Sequence, residues 1–482
     1  MLPKIWPAVL TLGWILLVTA GGEALMAAVA VVDGDAGAIV FALSAAITAL
    51  VAGACILPTK GRPFELRFRD AALLTAVTWF VVPAFAALPL MWHPVGLSFV
   101  DAYFEMVSGF TTTGSTVMSG LDTMPGSILL WRSTVQWLGG LGIIGLAIIV
   151  LPFLRIGGMQ LFRMESSDRS EDVMPKARHV AGLVARVYAL LTAACGLTYW
   201  ALGMSPFDAL NHALTTLPTA GFSTHDASFG YFRNPALEWA GVVFMISGAL
   251  PFLAYLRVLR PGRWRDRIDP QIPVFLSMLA IFVAIVTLYL WATRQYGFFP
   301  ALTEAAFNIT SVITTTGFAS TDYLKWGPFV ATWFFLFNFP GGCTGSTAGG
   351  LKTFRLMVLY RIVVQQVAHL LHPHRTTQIR YGRKVLTDDQ VGSVGTFAFL
   401  YFATFAILSL AVALTGLDME TAMSSVAECM ANVGPGIGPV VGPAGNFSSL
   451  PDITKILLTF AMIAGRLEIQ GVLILFLPSF YR

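Results

Sequence analysis

Gly109-Phe-Thr-Thr-Thr-Gly-Ser-Thr116 decides the fold, because altered copies of it return three times along the chain. They are Pro218-Thr-Ala-Gly-Phe222, Thr314-Thr-Thr-Gly-Phe318 and Ala431-Asn-Val-Gly-Pro435. Aligned on Gly114, Gly221, Gly317 and Gly434, the copies agree further upstream. Two positions before the glycine stand Thr112, Thr219, Thr315 and Asn432, all short and polar. Twelve before it stand Ala102, Ala209, Ala305 and Ala422, and thirteen before it Asp101, Asp208, Glu304 and Thr421. Successive glycines are 107, 96 and 117 residues apart, so a unit of roughly 100 residues is present four times. Four polar turns, each ending in glycine, fit one ring around one axis, which is the geometry of an ion pore.

Composition sets the class. Of 482 residues, 56% are hydrophobic and 12% charged, with a mean hydropathy of +0.72. That is too little charge to cover a soluble surface of this size, so the chain reads as a polytopic membrane protein. The net charge of +4 is small and its basic residues are clustered. Clusters of this kind set topology and meet lipid headgroups; no nucleic-acid partner is expected. Cys55, Cys195, Cys343 and Cys429 lie far apart in apolar stretches and are expected as buried free thiols.

Two apolar runs, 7–32 and 38–57, open the chain, joined by Asp33-Gly-Asp35. Each is close to the roughly 20 residues of a bilayer crossing, and the first reads as an uncleaved helix. Glu23 inside it is either an ion or proton site or a hydrogen bond to a neighbouring helix. After the basic loop 60–69 each unit has a crossing, a short half-polar segment and a second crossing. The segments fall at 71–92, 98–113 and 126–154; 180–203, 206–220 and 236–259; 272–293, 300–316 and 328–370; and 391–415, 418–433 and 452–479. The middle segments are too short to span and too polar for lipid, and read as re-entrant pore helices.

The predicted fold is therefore all-α, a polytopic membrane protein with ten transmembrane helices. Two are N-terminal (1–66). The rest belong to four helix–pore-helix/loop–helix repeats, at 67–170, 171–267, 268–385 and 386–482, in pseudo-fourfold arrangement around one ion pore. Lys and Arg crowd the loops at 60–69, 155–178, 257–267 and 352–384 and are nearly absent from 33–37, 115–125 and 416–451. By the positive-inside rule both termini are cytoplasmic and the pore helices enter from outside.

Threonine and glycine suit such a turn. A dehydrated cation needs oxygens to replace its water shell, and backbone carbonyls supply them without net charge. Glycine tolerates the backbone that lets successive carbonyls aim one way, and the negative C-terminal end of each pore helix favours a cation. The candidate filter is Thr112, Thr113 and Gly114; Thr219, Ala220 and Gly221; Thr315, Thr316 and Gly317; and Asn432, Val433 and Gly434, with a cation, as substrate, the only metal expected there.

The two extra N-terminal helices, the four repeats and the motifs Thr111-Thr-Thr-Gly-Ser115, Thr314-Thr-Thr-Gly-Phe318 and Asn432-Val-Gly-Pro435 resemble the TrkH branch of the Trk/Ktr/HKT potassium transporters. So do Asn338-Phe-Pro-Gly-Gly-Cys-Thr-Gly-Ser-Thr-Ala-Gly-Gly-Leu-Lys352 and Gly465-Arg-Leu-Glu468. The resemblance covers essentially the whole chain. It implies a potassium-conducting subunit of the bacterial inner membrane, commonly a homodimer with one pore per protomer. It also implies gating by a cytoplasmic nucleotide-binding ring protein of the TrkA type. No cofactor is implied beyond potassium as substrate. Glycine at all four filter positions goes with potassium preference in this family, and serine at the first with sodium permeation. The second copy, Pro218-Thr-Ala-Gly221, and Asn432 in the fourth depart from the threonine-rich form, so a less symmetric filter is expected.

Gly341, Gly342, Gly345, Gly349 and Gly350, with Pro340, interrupt an apolar run in which each helical glycine would cost on the order of 1 kcal/mol. The stretch is either a flexible intramembrane gate beneath the filter, as the resemblance suggests, or a passive kink; Thr344, Ser346 and Lys352 lie within it. Arg466, in the last crossing, is an electrostatic barrier below the filter, as the resemblance suggests, or a brace paired with Glu468 or Glu428, and the two readings are compatible. His369, His372 and His374 have no acidic or cysteine ligand at metal-site spacing and read as a juxtamembrane cluster. His225 and Asp226 are expected in the outer vestibule, where a catalytic dyad would lack a third group. Passive conduction through one pore competes with sodium- or proton-coupled symport. An intramembrane enzyme would need an acid, histidine or nucleophile cluster that the sequence does not show.

Overall fold

The computed structural model describes residues 5–62, 68–92, 94–149, 173–258, 268–374 and 378–478. Helices α1 (Ile5–Asp33) and α2 (Ala38–Ile56) form a hairpin. They close on Gly13, where a Cβ would press on Cys55 and Ile56. The Asp35 carboxylate fixes the turn by accepting from Gly37 N–H (2.8 Å) and from the Ser127 hydroxyl (2.5 Å), which ties the hairpin to the first repeat. Both helices expose large apolar side chains such as Val18, Leu25 and Leu50, as a lipid-facing pair does. Glu23 is buried, and the side chain that faces its carboxylate from the neighbouring helix is Thr48 of α2.

The first repeat comprises α3 (Phe68–Ala86), α4 (Leu88–Met91), α5 (Phe99–Phe110) and α6 (Gly126–Ile149). The second comprises α7 (Val173–Ala201), α8 (Pro206–Thr216), α9 (Pro235–Ala249) and α10 (Phe252–Val258). The third runs α11 (Gln271–Ala292), α12 (Phe298–Ile313), α13 (Pro328–Phe337) and α14 (Thr353–Leu371). The fourth runs α15 (Asp388–Ala413), α16 (Met419–Ala431), α17 (Asp452–Arg466) and α18 (Gln470–Leu473). The short helices α5, α8, α12 and α16 have 12, 11, 16 and 13 residues. Even the longest covers only about 24 Å at 1.5 Å per residue, less than a hydrocarbon core.

Three of the four begin alike. Ser98, Ser205 and Asp418, each sixteen positions before its glycine, accept the backbone N–H of Asp101, Asp208 and Thr421. The third starts from Gly297, without a side-chain cap. The aligned alanines Ala102, Ala209, Ala305 and Ala422 are all buried.

The expected ten crossings are not all single long helices among the described residues. Seven helices are long and apolar enough to span, or eight if Asp452–Arg466 and Gln470–Phe476, bent by 107°, count as one. The closing helix breaks in three repeats: before α10 at Pro251, after α13 at Pro340 and its glycines, and after α17 at Leu467–Ile469. Proline removes a helical donor and clashes with the preceding turn, and glycine adds slack. The 328–370 segment, read as one crossing, is thus two helices with a loop between. The all-α expectation also missed a small hairpin, β1 (Arg380–Tyr381) with β2 (Lys384–Val385). It turns on Gly382 (φ +58°) and packs Tyr381 edge-on against Phe354. The basic segments 155–172 and 259–267 lie outside the described residues. Cys195, Cys343 and Cys429 are buried free thiols, and Cys55 is half-buried.

Candidate functional site: a ring of four glycine turns

Each short helix ends in the same cap. The N–H of Thr113, Ala220, Thr316 and Val433 reaches back to the carbonyl five residues earlier, at 2.7–3.0 Å. The residue before each bonds three back, from Thr112, Thr219, Thr315 and Asn432. This double bond pattern is the Schellman motif, and its turning residue must be left-handed. Thr112, Thr219, Thr315 and Asn432 have φ of +52°, +53°, +58° and +56°, where glycine is usual. A non-glycine residue there costs about 1–2 kcal/mol, so the surroundings hold all four turns. The glycines that follow, Gly114, Gly221, Gly317 and Gly434, have φ of +87°, +81°, +88° and +108°.

These glycines close a ring. A Cβ on Gly114 would overlap the Ala220 carbonyl, one on Gly221 that of Thr316, and one on Gly317 that of Val433. One on Gly434 would come to 2.9 Å from the Thr113 carbonyl, which returns to the first repeat. The contacts therefore run from repeat one to two, three, four and back. All four glycines line a single cavity of about 510 Å³, together with Arg132, His225 and Asp226. The ring is also stitched by Ser115 Oγ donating to the Gly434 carbonyl (3.2 Å) and Asn432 Nδ2 to Thr113 Oγ1 (2.9 Å). The four helix C-termini end at this ring, bringing their negative partial charge to it.

Sequence reading missed how the strands leaving the ring are held. The residue nine before the glycine does it in three repeats. Glu105 accepts from the Thr116 hydroxyl and Val117 N–H (both 2.9 Å) and pairs with Arg132 at 2.9 Å. His212 shares a hydrogen bond with the Ser223 hydroxyl (2.9 Å). Asn308 accepts from Ser320 N–H and donates to its hydroxyl (2.7 Å). The constant offset was present in the sequence, but unlike side chains hid it; in the fourth repeat Ser424 takes the part, accepting from Ile437 N–H at 2.5 Å.

The glycine-rich stretch lies against the same ring. Gly349 N–H donates to Thr315 Oγ1 (2.7 Å) and Gly350 N–H to the Ala431 carbonyl (3.0 Å). Thr347 Oγ1 lies 3.0 Å from both the Leu217 and Gly248 carbonyls, and 3.2 Å from Thr219 Oγ1. Gly341, Gly345, Gly350 and Lys352 have positive φ, and a Cβ on Gly342 would press on Ala348 and Ala249. Instead of loose chain, the stretch is buried and hydrogen-bonded to three repeats. Thr344 exchanges both backbone groups with the Gln271 side chain, Ser346 donates to the Cys343 carbonyl, and Lys352 Nζ to that of Ala348.

Arg466 forms neither expected ion pair. Its Nη1 donates to the Thr347 carbonyl at 2.8 Å. Glu468 pairs with Arg355 at 2.5 Å, and Glu428 is buried with Oε2 unpartnered. Arg466 closes α17, and Glu468 lies in the break before α18, where the axis turns by 107°. His225 does sit by the cavity, but with two carboxylates that sequence reading did not anticipate: Asp122 at 2.6 Å and Asp208 at 3.3 Å. This hydrogen bond from His225 holds the Asp122 carboxyl below its usual range. Asp226 accepts instead from the Gly120 and Leu121 N–H groups. No group of three metal-ligating side chains occurs among the described residues.

Comparison with known proteins places this arrangement. Residues 38–480 match the family model described as TrkH, cation transport protein. The chain is 43% identical to the Trk system potassium uptake protein TrkI of Halomonas elongata, over 94% of this chain and 92% of that protein. It is 36% identical to the Trk system potassium uptake protein TrkH of Escherichia coli K12, over 88% of each. The crystal structure of the potassium transporter TrkH from Vibrio parahaemolyticus superposes with a TM-score of 0.90 at 32% identity, covering 99% of this chain and 100% of that one. A multi-span membrane chain with this likeness over nearly its full length belongs to the TrkH family of cation transport proteins.

Proposed function

We propose that this protein takes up potassium through the ring, which acts as a channel-like filter. The carrying observation is the cyclic closure of four glycines on the carbonyl of the next repeat, all facing one cavity. Oxygens around one axis replace the water shell of a monovalent cation, and the relatives' names give potassium as the ion. The stretch 341–352 is the gate, and Arg466 is a positive barrier beneath the filter that also latches the gate through Thr347. No covalent chemistry is involved. The protein works in the bacterial inner membrane with both termini cytoplasmic, as a homodimer regulated by a TrkA-like nucleotide-binding subunit.

Gly114→Ser tests the filter in liposomes holding the protein alone. A serine Cβ overlaps the Ala220 carbonyl, so the variant is expected to lose flux and to admit sodium relative to potassium. An unchanged ion preference refutes the filter. Sodium- or proton-coupled symport is the competing mechanism, and potassium uptake that needs an opposing or accompanying ion gradient would favour it.

A further inference from the structure

The four turns are not braced alike. In the first, the Thr111 and Thr113 hydroxyls meet at 2.6 Å; in the third, those of Thr314 and Thr316 meet at 2.8 Å. The second turn has Pro218 and Ala220 at these two positions and cannot form the pair. There, Gln136 of α6 supplies two bonds from the neighbouring repeat. Its Nε2 donates to the Ala220 carbonyl at 2.8 Å, and its Oε1 accepts from Phe222 N–H at 3.0 Å. Only one orientation of the amide satisfies both bonds. Gln136 is fully buried, and on the same helix face Arg132 holds the Ser223 carbonyl (3.2 Å) and stacks 4.2 Å over Phe222.

The closing helices can be put in register. A Cβ on Gly139, Gly248 or Gly465 would meet the carbonyl of Phe110, Leu217 or Met430, each four residues before its ring glycine. Three positions before these glycines stand Gln136, Met245 and Met462. Met245 lies on the helix packed beside the third turn. Met462 lies on the helix packed beside the first, and its carbonyl accepts from Asn432 Nδ2 of its own repeat. Both of those turns hold their own threonine pair. Two turns lack the pair, the second and the fourth (Ala431, Val433), and the glutamine faces the second.

Resting on the filter reading above, we propose that Gln136 is the positioning residue of the second turn and sets the ion preference of the ring from outside it. One lone pair of the Ala220 carbonyl is engaged by the amide, and the Phe222 N–H is held on the other side of Gly221. The second quadrant is thereby fixed in place and presents a weaker field to an ion than an unengaged carbonyl. A methionine in its place would leave the Ala220 carbonyl free to turn, and the Phe222 N–H without this partner.

Potassium and sodium fluxes in liposomes test this. Gln136→Met is expected to lower the potassium-to-sodium ratio about tenfold, the weight of one to two neutral hydrogen bonds. Adding Pro218→Thr and Ala220→Thr supplies the missing hydroxyl pair and is expected to restore the ratio. A ratio unchanged in Gln136→Met, or lowered and not restored, overturns the proposal. Should Gln136→Met fail to purify folded, Gln136→Asn carries the test. It keeps the amide but is one carbon too short to meet both the Ala220 carbonyl and the Phe222 N–H, and an unchanged ratio there also overturns the proposal. Gly114→Ser, measured alongside, separates the two levels. If it alone shifts the ratio, only the role of Gln136 falls; if neither shifts it, the filter reading falls.

Discussion

The ring and the stretch 341–352 beneath it are built from the same material and held in opposite ways. Both pack glycines of positive φ against backbone carbonyls. In the ring each repeat closes on the next by one contact used four times. The stretch belongs to the third repeat only, and its hydrogen bonds reach the Leu217, Thr219, Gly248 and Ala431 positions of the second and fourth repeats as well as Thr315 of its own. Repetition makes the ring rigid at little cost in specificity of sequence, whereas the stretch can leave its site only by breaking bonds to several repeats together. On the function proposed above, selectivity belongs to the first region and control of flux to the second.

The strongest way to break this comparison is to add a Cβ to the ring. Gly221→Ala and Gly317→Ala force an overlap with a backbone carbonyl at φ near +80 to +90°. Thermal unfolding in detergent should show a loss of about 2–5 kcal/mol, with transport abolished. Gly434→Ala should be milder, about 1–2 kcal/mol, because its nearest carbonyl is 2.9 Å away. Equal damage at all three positions would mean that ring closure does not govern the site.

The two regions are sharpened against each other by Arg466→Gln. It removes the charge beneath the ring and the bond to the Thr347 carbonyl, so potassium flux should rise several-fold while the potassium-to-sodium ratio stays. Stability should fall by about 1.5–3 kcal/mol, the range for a charge-assisted hydrogen bond. A shift in the ratio would place Arg466 in the filter and remove the division of labour.

The smallest effect is expected outside both regions. Because His225 lowers the Asp122 carboxyl below its ordinary range, the contribution of Asp122 is complete above that range and is lost as pH falls through the lowered value. Asp122 is 45% exposed, so solvent screening limits Asp122→Asn to a few tenths of a kcal/mol at neutral pH. Unfolding curves of the two proteins should converge in acid; a gap that widens there would contradict the pairing.

Much of the site was legible beforehand because it repeats. Aligned glycines at 114, 221, 317 and 434 predict positive φ four times over, and the short, polar helices before them predict that they stop inside the membrane. The Schellman caps were less visible. Thr112, Thr219, Thr315 and Asn432 read as oxygen donors, yet their backbone turns left-handed where glycine is the ordinary signal. The partners of single residues were not legible. Arg466 beside Glu468 in sequence suggests a pair, but Glu468 lies in the break where the axis turns by 107° and pairs with Arg355.

The chain by itself determined its solvent and its repetition. Apolar runs with few charges can lie only in lipid, and a motif returning every hundred or so residues can bury its polar turns only against its own copies. What tertiary structure decided is which group meets which: Asn432 with Thr113, 319 positions apart, Gln136 with Ala220, and the glycine stretch with three different repeats. Such pairings carry no local signature. A hydrogen bond depends on distance and direction to within fractions of an ångström, and these are set only when helices remote in sequence have packed.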